Sequence, residues 1–270
     1  MSYLILSTLQ MNHPIFLNFA WIEGQTFGSS PFFLIFTIFS YLSFTFLLSH
    51  ISIPPISPSI LKPISGLHNF TLLILSFIMA IGSILSSIYH VPHPLFLICF
   101  PPQTPPTGPL FFWAYIFYLS KIHEFLDTLL IILSKSYQRL TFLHLYHHSM
   151  VLIMSYLWLN TSQSLTAIGV VTNSTVHTIM YAYYFLCSIG IKPKWKKFVT
   201  NCQILQLVFG FVVSGWMLYE HFIGGSSLSL GGCSGIRGWY FNIVFNASLL
   251  ALFMDFHSKS YVLHGQRKQQ

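Results

Sequence analysis

The chain has 270 residues, of which 54% are hydrophobic and only 6% charged, with a formal charge of +7. A soluble globular domain carries about 25% charged residues, so that class is excluded and an all-α polytopic membrane protein is indicated. The apolar runs are long and continuous, which argues against a β-barrel, and basic residues divided among short loops argue against a nucleic-acid partner.

In chain order, the first thirty residues do not read as a signal peptide. They lack a basic start, and Asn12, His13 and Pro14 interrupt the apolar stretch. Phe16 to Trp21 reads either as a segment lying on the membrane surface or as a poorly ordered leader. Seven segments of about 20 apolar residues follow, predicted as transmembrane helices over 31–51, 67–88, 112–134, 142–160, 164–188, 199–221 and 238–257. No repeat or linker divides the chain, so residues 1–270 read as a single membrane domain.

With a lumenal N-terminus, Lys62, Lys135, Arg139, the Lys192–Lys197 cluster, Lys259, Arg267 and Lys268 all fall on the cytosolic side. Arg237 alone falls on the other side, and Lys121 lies within a span. That asymmetry places the N-terminus in the lumen and the C-terminus in the cytosol. The same topology puts Cys99 and Cys233 in lumenal loops, where a disulfide between them is expected. Asn160-Thr161-Ser162 is a glycosylation sequon that hugs the membrane and is expected to stay bare.

Polar residues inside the spans carry the functional signal. Lys121, Glu124, Asp127 and Thr128 form K-x-x-E-x-x-D-T on about a third of one helix's circumference. They either lock helices together or build a site. His144, His147 and His148 stand at i, i+3 and i+4, on one helix face, in a stretch with no charged residue between Arg139 and Lys192. Three imidazoles in so apolar a segment point to a protein interior or a wet cavity. Asn173, His177, Tyr181 and Tyr184 form a second polar stripe. Gln203 and Gln206 add amides at similar depth, with a helix-joining role as the alternative. Lys192, Lys194, Lys196 and Lys197 either serve topology alone or meet lipid headgroups or the phosphates of a ligand. By depth, these groups converge on one chamber opening to the cytosol. Such a chamber suits an amphiphile with a polar head and a long tail. Arg267-Lys268 near the end of the chain looks like a dilysine-type retrieval signal for the endoplasmic reticulum.

The ordered motifs K-I-H-E-F-L-D-T (121–128), H-L-Y-H-H (144–148), N-S-T-V-H-T-I-M-Y-A-Y-Y (173–184) and T-N-C-Q-I-L-Q (200–206) resemble those of the ELO family. These are the very-long-chain fatty acid elongases, condensing enzymes of the endoplasmic reticulum membrane. The leader and the proline-rich loop 101–106 look like plant-type members. The resemblance implies seven transmembrane helices, six of them in an inverted barrel around an acyl tunnel. It also implies a very-long-chain 3-oxoacyl-CoA synthase that joins acyl-CoA to malonyl-CoA, releasing CO2 and CoA, with no cofactor or metal. A neutral imidazole is a competent nucleophile toward a thioester. His147 is the expected nucleophile, forming an acyl-imidazole, with His177, oriented by Asn173, acting on malonyl-CoA. His144 and His148 are expected to position His147 or donate to developing oxyanions. Lys121, Glu124 and Asp127 are expected to fix the pocket, and Tyr181, Tyr184, Gln203, Gln206 and the Lys192–Lys197 lysines to bind substrate. Reductases and a dehydratase of the elongation cycle are partners by pathway logic, and a homo-oligomer stays open.

The main rival is a di-iron membrane desaturase or hydroxylase, which also uses H-x-x-H-H boxes. Such enzymes need several boxes, and His90-Val91-Pro92-His93 is the only other close pair. A seven-helix receptor ranks lower, since it has no need of a histidine-rich chamber facing the cytosol.

Overall fold

The computed structural model of the chain describes residues 11–51, 54, 56–223 and 231–262. The retrieval-type signal at Arg267-Lys268 lies outside them. Among the described residues the fold is helical, with a lone antiparallel bridge between Ala20 and Thr107 in place of any strand. The helices are α1 (Pro14–Leu17), α2 (Pro31–His50), α3 (Pro58–His90), α4 (Pro94–Ile98), α5 (Gly108–His123), α6 (Phe125–Leu133), α7 (Phe142–Asn160), α8 (Thr166–Ser188), α9 (Lys196–Phe222) and α10 (Ile236–His257).

Local sequence explains most of these boundaries. Proline at the first helical turn starts α1, α2, α3, α4 and α5, where its missing N–H costs nothing. Thr141 caps α7, its hydroxyl accepting the His144 backbone N–H at 3.2 Å, and so sets the register of the three histidines that follow. Every predicted span coincides with helix, but the segment expected over 112–134 is divided. It starts at Gly108 and breaks between His123 and Phe125. At the break Asp127 N–H reaches back only three residues, to the Glu124 carbonyl at 3.0 Å, a local tightening of the helix. The break falls on the buried acid of the K-x-x-E-x-x-D-T motif.

Among the described residues, four helices are long and apolar enough to cross a membrane: Pro31–His50, Pro58–His90, Lys196–Phe222 and Ile236–Tyr261. The three remaining predicted spans are those that carry the acid and histidine motifs. The break shortens α5 and α6, while histidines, amides and hydroxyls make α7 and α8 less apolar.

Two ends of the helical bundle differ. At one end Phe117 and Tyr118 on α5, Tyr156 and Trp158 on α7 and Met79 on α3 form a dry aromatic core. Gly82 lets α3 approach α5 so closely that the Trp113 ring occupies the space a Cβ would need. The leader is built into this core and not merely laid over it. Trp21 is 5% exposed, its ring against Tyr118 and Tyr156, and the Tyr118 and Tyr156 hydroxyls donate to the carbonyls of Gly28 and Ser29 at 2.9 and 3.0 Å. Beside it Cys99, which follows α4, pairs with Cys233, just before α10, their Cα atoms 4.9 Å apart. At the other end the bundle opens into a cavity.

Candidate active site

The cavity has a volume of about 1080 Å³ and is lined from α3, α6, α7, α8, α9 and α10 and the loop joining α6 to α7. Glu124, Asp127, His144, His147, His148, Asn173, His177, Tyr181, Tyr184, Gln203 and Gln206, singled out from sequence, all line it. They come from four helices, so the chain brings four separate motifs to one place.

One wall is an ionic cluster. The Lys121 ammonium donates to Glu124 Oε1 at 2.7 Å and to Asn173 Oδ1 at 3.2 Å, and lies 4.3 Å from the centre of the Phe117 ring. Both Lys121 and Glu124 are 1% exposed. Removing two charges from water is costly, and only a short contact with further donors and acceptors offsets it. Lys121 stands behind the wall, outside the cavity lining, with three partners of its own. Glu124 also lies 3.5 Å from His177 Nδ1, while its other oxygen, Oε2, has no protein partner among the described residues. This corrects one expectation: Asn173 does not orient His177. It is held by Lys121, and the carboxylate beside His177 is Glu124, which sits at the α5–α6 break.

Asp127 holds a second cluster. Its Oδ1 pairs with His68 Nε2 on α3 at 2.9 Å, and its Oδ2 accepts the Tyr181 hydroxyl at 2.8 Å. A third runs from Tyr41 on α2 through Thr128 to His144, with oxygen–oxygen and oxygen–nitrogen distances of 2.9 and 2.7 Å. His68 and Tyr41 were missed in the sequence. Each stands outside any motif, and the one available signal was a polar ring in an apolar span, which for a lone His or Tyr is weak.

The histidines of H-L-Y-H-H divide by environment. His148 is buried, with Nδ1 lacking a partner among the described residues, whereas His144 and His147 are half-buried on the cavity wall. His147 sits between the two others and α8, its ring centroid 5.2 Å from His148 and 6.4 Å from His177. Tyr146 points the other way and bonds Ser248 on α10 at 2.6 Å, which anchors the opposite face of α7.

At the mouth the expectation for the lysine loop is corrected in part. Lys196, at the start of α9, lines the cavity, but Lys192, Lys194 and Lys197 do not and are exposed. Lys62, Lys135 and Arg139, read from sequence only as markers of topology, line the mouth with it. A loop reaches solvent on several sides, so sequence adjacency does not put four lysines on one rim.

Among the described residues no group of three or more His, Cys, Asp or Glu side chains could hold a metal ion. The donor set of a di-iron desaturase is therefore not assembled there.

The GNS1/SUR4 family model, ELO, matches residues 26–269. The chain belongs to this family. Among curated relatives, it is 30% identical over 267 residues to "Fatty acid elongase 3-like" of Arabidopsis thaliana, covering 92% of this chain and 89% of that protein. It is 34% identical over 197 residues to "Fatty acid elongase A" of Dictyostelium discoideum, covering 72% and 70%. It is also 34% identical over 165 residues to "Very long chain fatty acid elongase 5" of Pongo abelii, covering 58% and 50%. The ELO match runs through every motif that lines the cavity.

Proposed function

We propose that this ELO-family chain is the condensing enzyme of fatty acid elongation, joining a long-chain acyl-CoA to malonyl-CoA. The observation that carries the reading is His147: a cavity-facing imidazole flanked by two more histidines and, across the cavity, by His177 and Glu124. A largely apolar cavity on which histidines, acids and amides converge suits a substrate with a charged head and a long tail.

The chemistry follows from these groups. His147 attacks the thioester carbonyl, the C–S bond breaks, and CoA leaves with the proton given up by the ring, so the acyl group rests on imidazole nitrogen. Malonyl-CoA, bound against His177, loses CO2, and the electron pair of that C–C bond becomes an enolate. The enolate carbon attacks the acyl carbon, the C–N bond to His147 breaks, and the ring nitrogen takes up a proton from water, which regenerates neutral His147 and leaves 3-ketoacyl-CoA two carbons longer. In this reading His144 and His148 position His147 or donate to the oxyanions of both acyl-transfer steps. Lys121, Glu124 and Asp127 hold the wall, and Tyr181, Tyr184, Gln203 and Gln206 contact substrate. Lys196, with Lys62, Lys135 and Arg139, meets the CoA phosphates at the mouth.

In the same reading the whole chain is one domain of seven transmembrane helices, six of them enclosing an acyl tunnel. It resides in the endoplasmic reticulum membrane with its N-terminus lumenal and works with the reductases and dehydratase of the cycle. The basic rim around the cavity mouth supports a cytosolic opening.

Intact-protein mass after incubation with a long-chain acyl-CoA alone tests the mechanism. An added acyl mass, discharged by malonyl-CoA and absent in His147→Ala, is the expected result. Normal 3-keto product without any adduct would retain the elongase and remove the acyl-imidazole. Loss of both would overturn the reading.

A further inference from the structure

Tyr41 lies on α2, far in sequence from all four cavity motifs, yet its hydroxyl bonds Thr128 of the first of them. Its ring stacks on Phe125, directly after the α5–α6 break, with centroids 4.0 Å apart and planes 12° from parallel. That stacking aims the hydroxyl at Thr128 Oγ1, 2.9 Å away, and Thr128 Oγ1 in turn lies 2.7 Å from His144 Nε2. Tyr41 and Thr128 are 7% and 1% exposed, so their protons have little recourse to water.

Counting protons decides the direction of this chain for a neutral imidazole. A hydroxyl has one proton to donate, and a neutral imidazole donates from one nitrogen and accepts at the other. If His144 carried its proton on Nε2 and donated to Thr128, Thr128 would have to donate to Tyr41, and the Tyr41 proton would be left without an acceptor among the described residues. If Tyr41 and His144 both donated to Thr128, the Thr128 proton would be stranded instead. One arrangement strands no buried hydroxyl proton: Tyr41 donates to Thr128, Thr128 donates to His144 Nε2, and the remaining proton sits on Nδ1 of the half-buried ring that lines the cavity. Stranding a buried hydroxyl proton is the costlier alternative.

We propose that Tyr41, acting through Thr128, holds His144 as its Nδ1–H tautomer, so that His144 presents a fixed N–H donor to the cavity. The assignment rests on the hydrogen-bond chain. Its use, donation to the acyl oxygen during transfer to His147, rests on the elongase reading above. Tyr41 is thus a positioning residue supplied by a helix that contributes no residue to the cavity lining.

The test uses full-length protein in lipid nanodiscs with 15N-labelled histidine, the His144 resonances being identified by their loss in His144→Gln. The wild type is expected to show His144 Nε2 unprotonated and Nδ1 protonated without any substrate. Tyr41→Phe keeps the stacked ring and removes only the donor. It should give a mixture of tautomers and slow acyl-adduct formation about tenfold, the scale of one hydrogen bond. Thr128→Val should mix the tautomers as well, and Thr128→Ser, which keeps the hydroxyl, should restore both tautomer and rate. A protonated Nε2 in the wild type, or an unchanged tautomer in Tyr41→Phe, would overturn the proposal. Because the tautomer is read before acyl-CoA is added, its outcome is independent of whether the chain elongates fatty acids.

Discussion

The two ends of the bundle bury polar groups in opposite ways. At the aromatic end, hydroxyls are tied to backbone carbonyls: Tyr118 to Gly28, Tyr156 to Ser29, Ser164 to Ser234. Among the described residues, the atoms left without partners there are chiefly indole N–H groups and Gln163, dispersed through the packing. At the cavity end, side chains pair with side chains, Lys121 with Glu124, His68 with Asp127, Thr128 with His144; among the described residues Glu124 Oε2, His148 Nδ1 and His177 Nδ1, on cavity-lining residues, lack a hydrogen-bond partner, as do His68 Nδ1 and His123 Nε2, which are off the lining. Polar groups bonded to backbone hold a fold together, whereas polar side chains that line a cavity can turn to a ligand. Both ends are buried; only one has chemistry in reserve.

Substitutions separate the two ends, and the largest effect belongs to His147. His147→Ala is expected to abolish the acyl adduct and lower 3-keto product formation on the order of 10³-fold or more, with thermal unfolding little changed. A variant that unfolds instead would make His147 part of the scaffold and erase the contrast. Next, Glu124→Gln leaves a buried Lys121 without its counter-ion. Breaking a buried pair from one side costs about 3–5 kcal/mol, to be read as a lowered unfolding midpoint in detergent. A change no larger than that of an exposed residue would mean that water reaches the pair.

The aromatic end supplies the converse experiment. Replacing Cys99 and Cys233 together by Ser removes a cross-link spanning 134 residues. The expected loss is about 2–4 kcal/mol of stability, while the adduct rate and the KM for acyl-CoA stay at wild-type values. A changed adduct rate would show the two ends to be coupled. The smallest effect is at the mouth. Lys196→Ala should raise the KM for acyl-CoA up to about fivefold, less at high salt, with kcat held. Lys192→Ala and Lys194→Ala, whose side chains lie off the rim, should leave KM alone. Equal effects from all three would restore the lysine loop as a unit.

Much of this organisation was legible in the residues. A composition so poor in charge leaves long apolar helices as the only economical fold, because every backbone polar group must be satisfied within its own segment. Three histidines at i, i+3 and i+4 share a face by helical geometry alone, and Thr141 starts their helix in register. The partners of the polar side chains were less legible. The resemblance implied that Asn173 orients His177, four residues on, yet Asn173 bonds Lys121 and Glu124 stands beside His177.

By itself the sequence determined the helical membrane-type composition, the family, and the residue types that meet in the cavity. Tertiary structure alone decided which of them touch. The break at Glu124, the reach of His68 to Asp127 across 59 residues and of Tyr41 to Thr128 across 87 depend on how α2, α3 and α6 pack. The reason is physical: periodicity assigns a residue to a helix face, but the neighbour across that face is chosen by the packing of another helix. That choice carries no local signal in either segment.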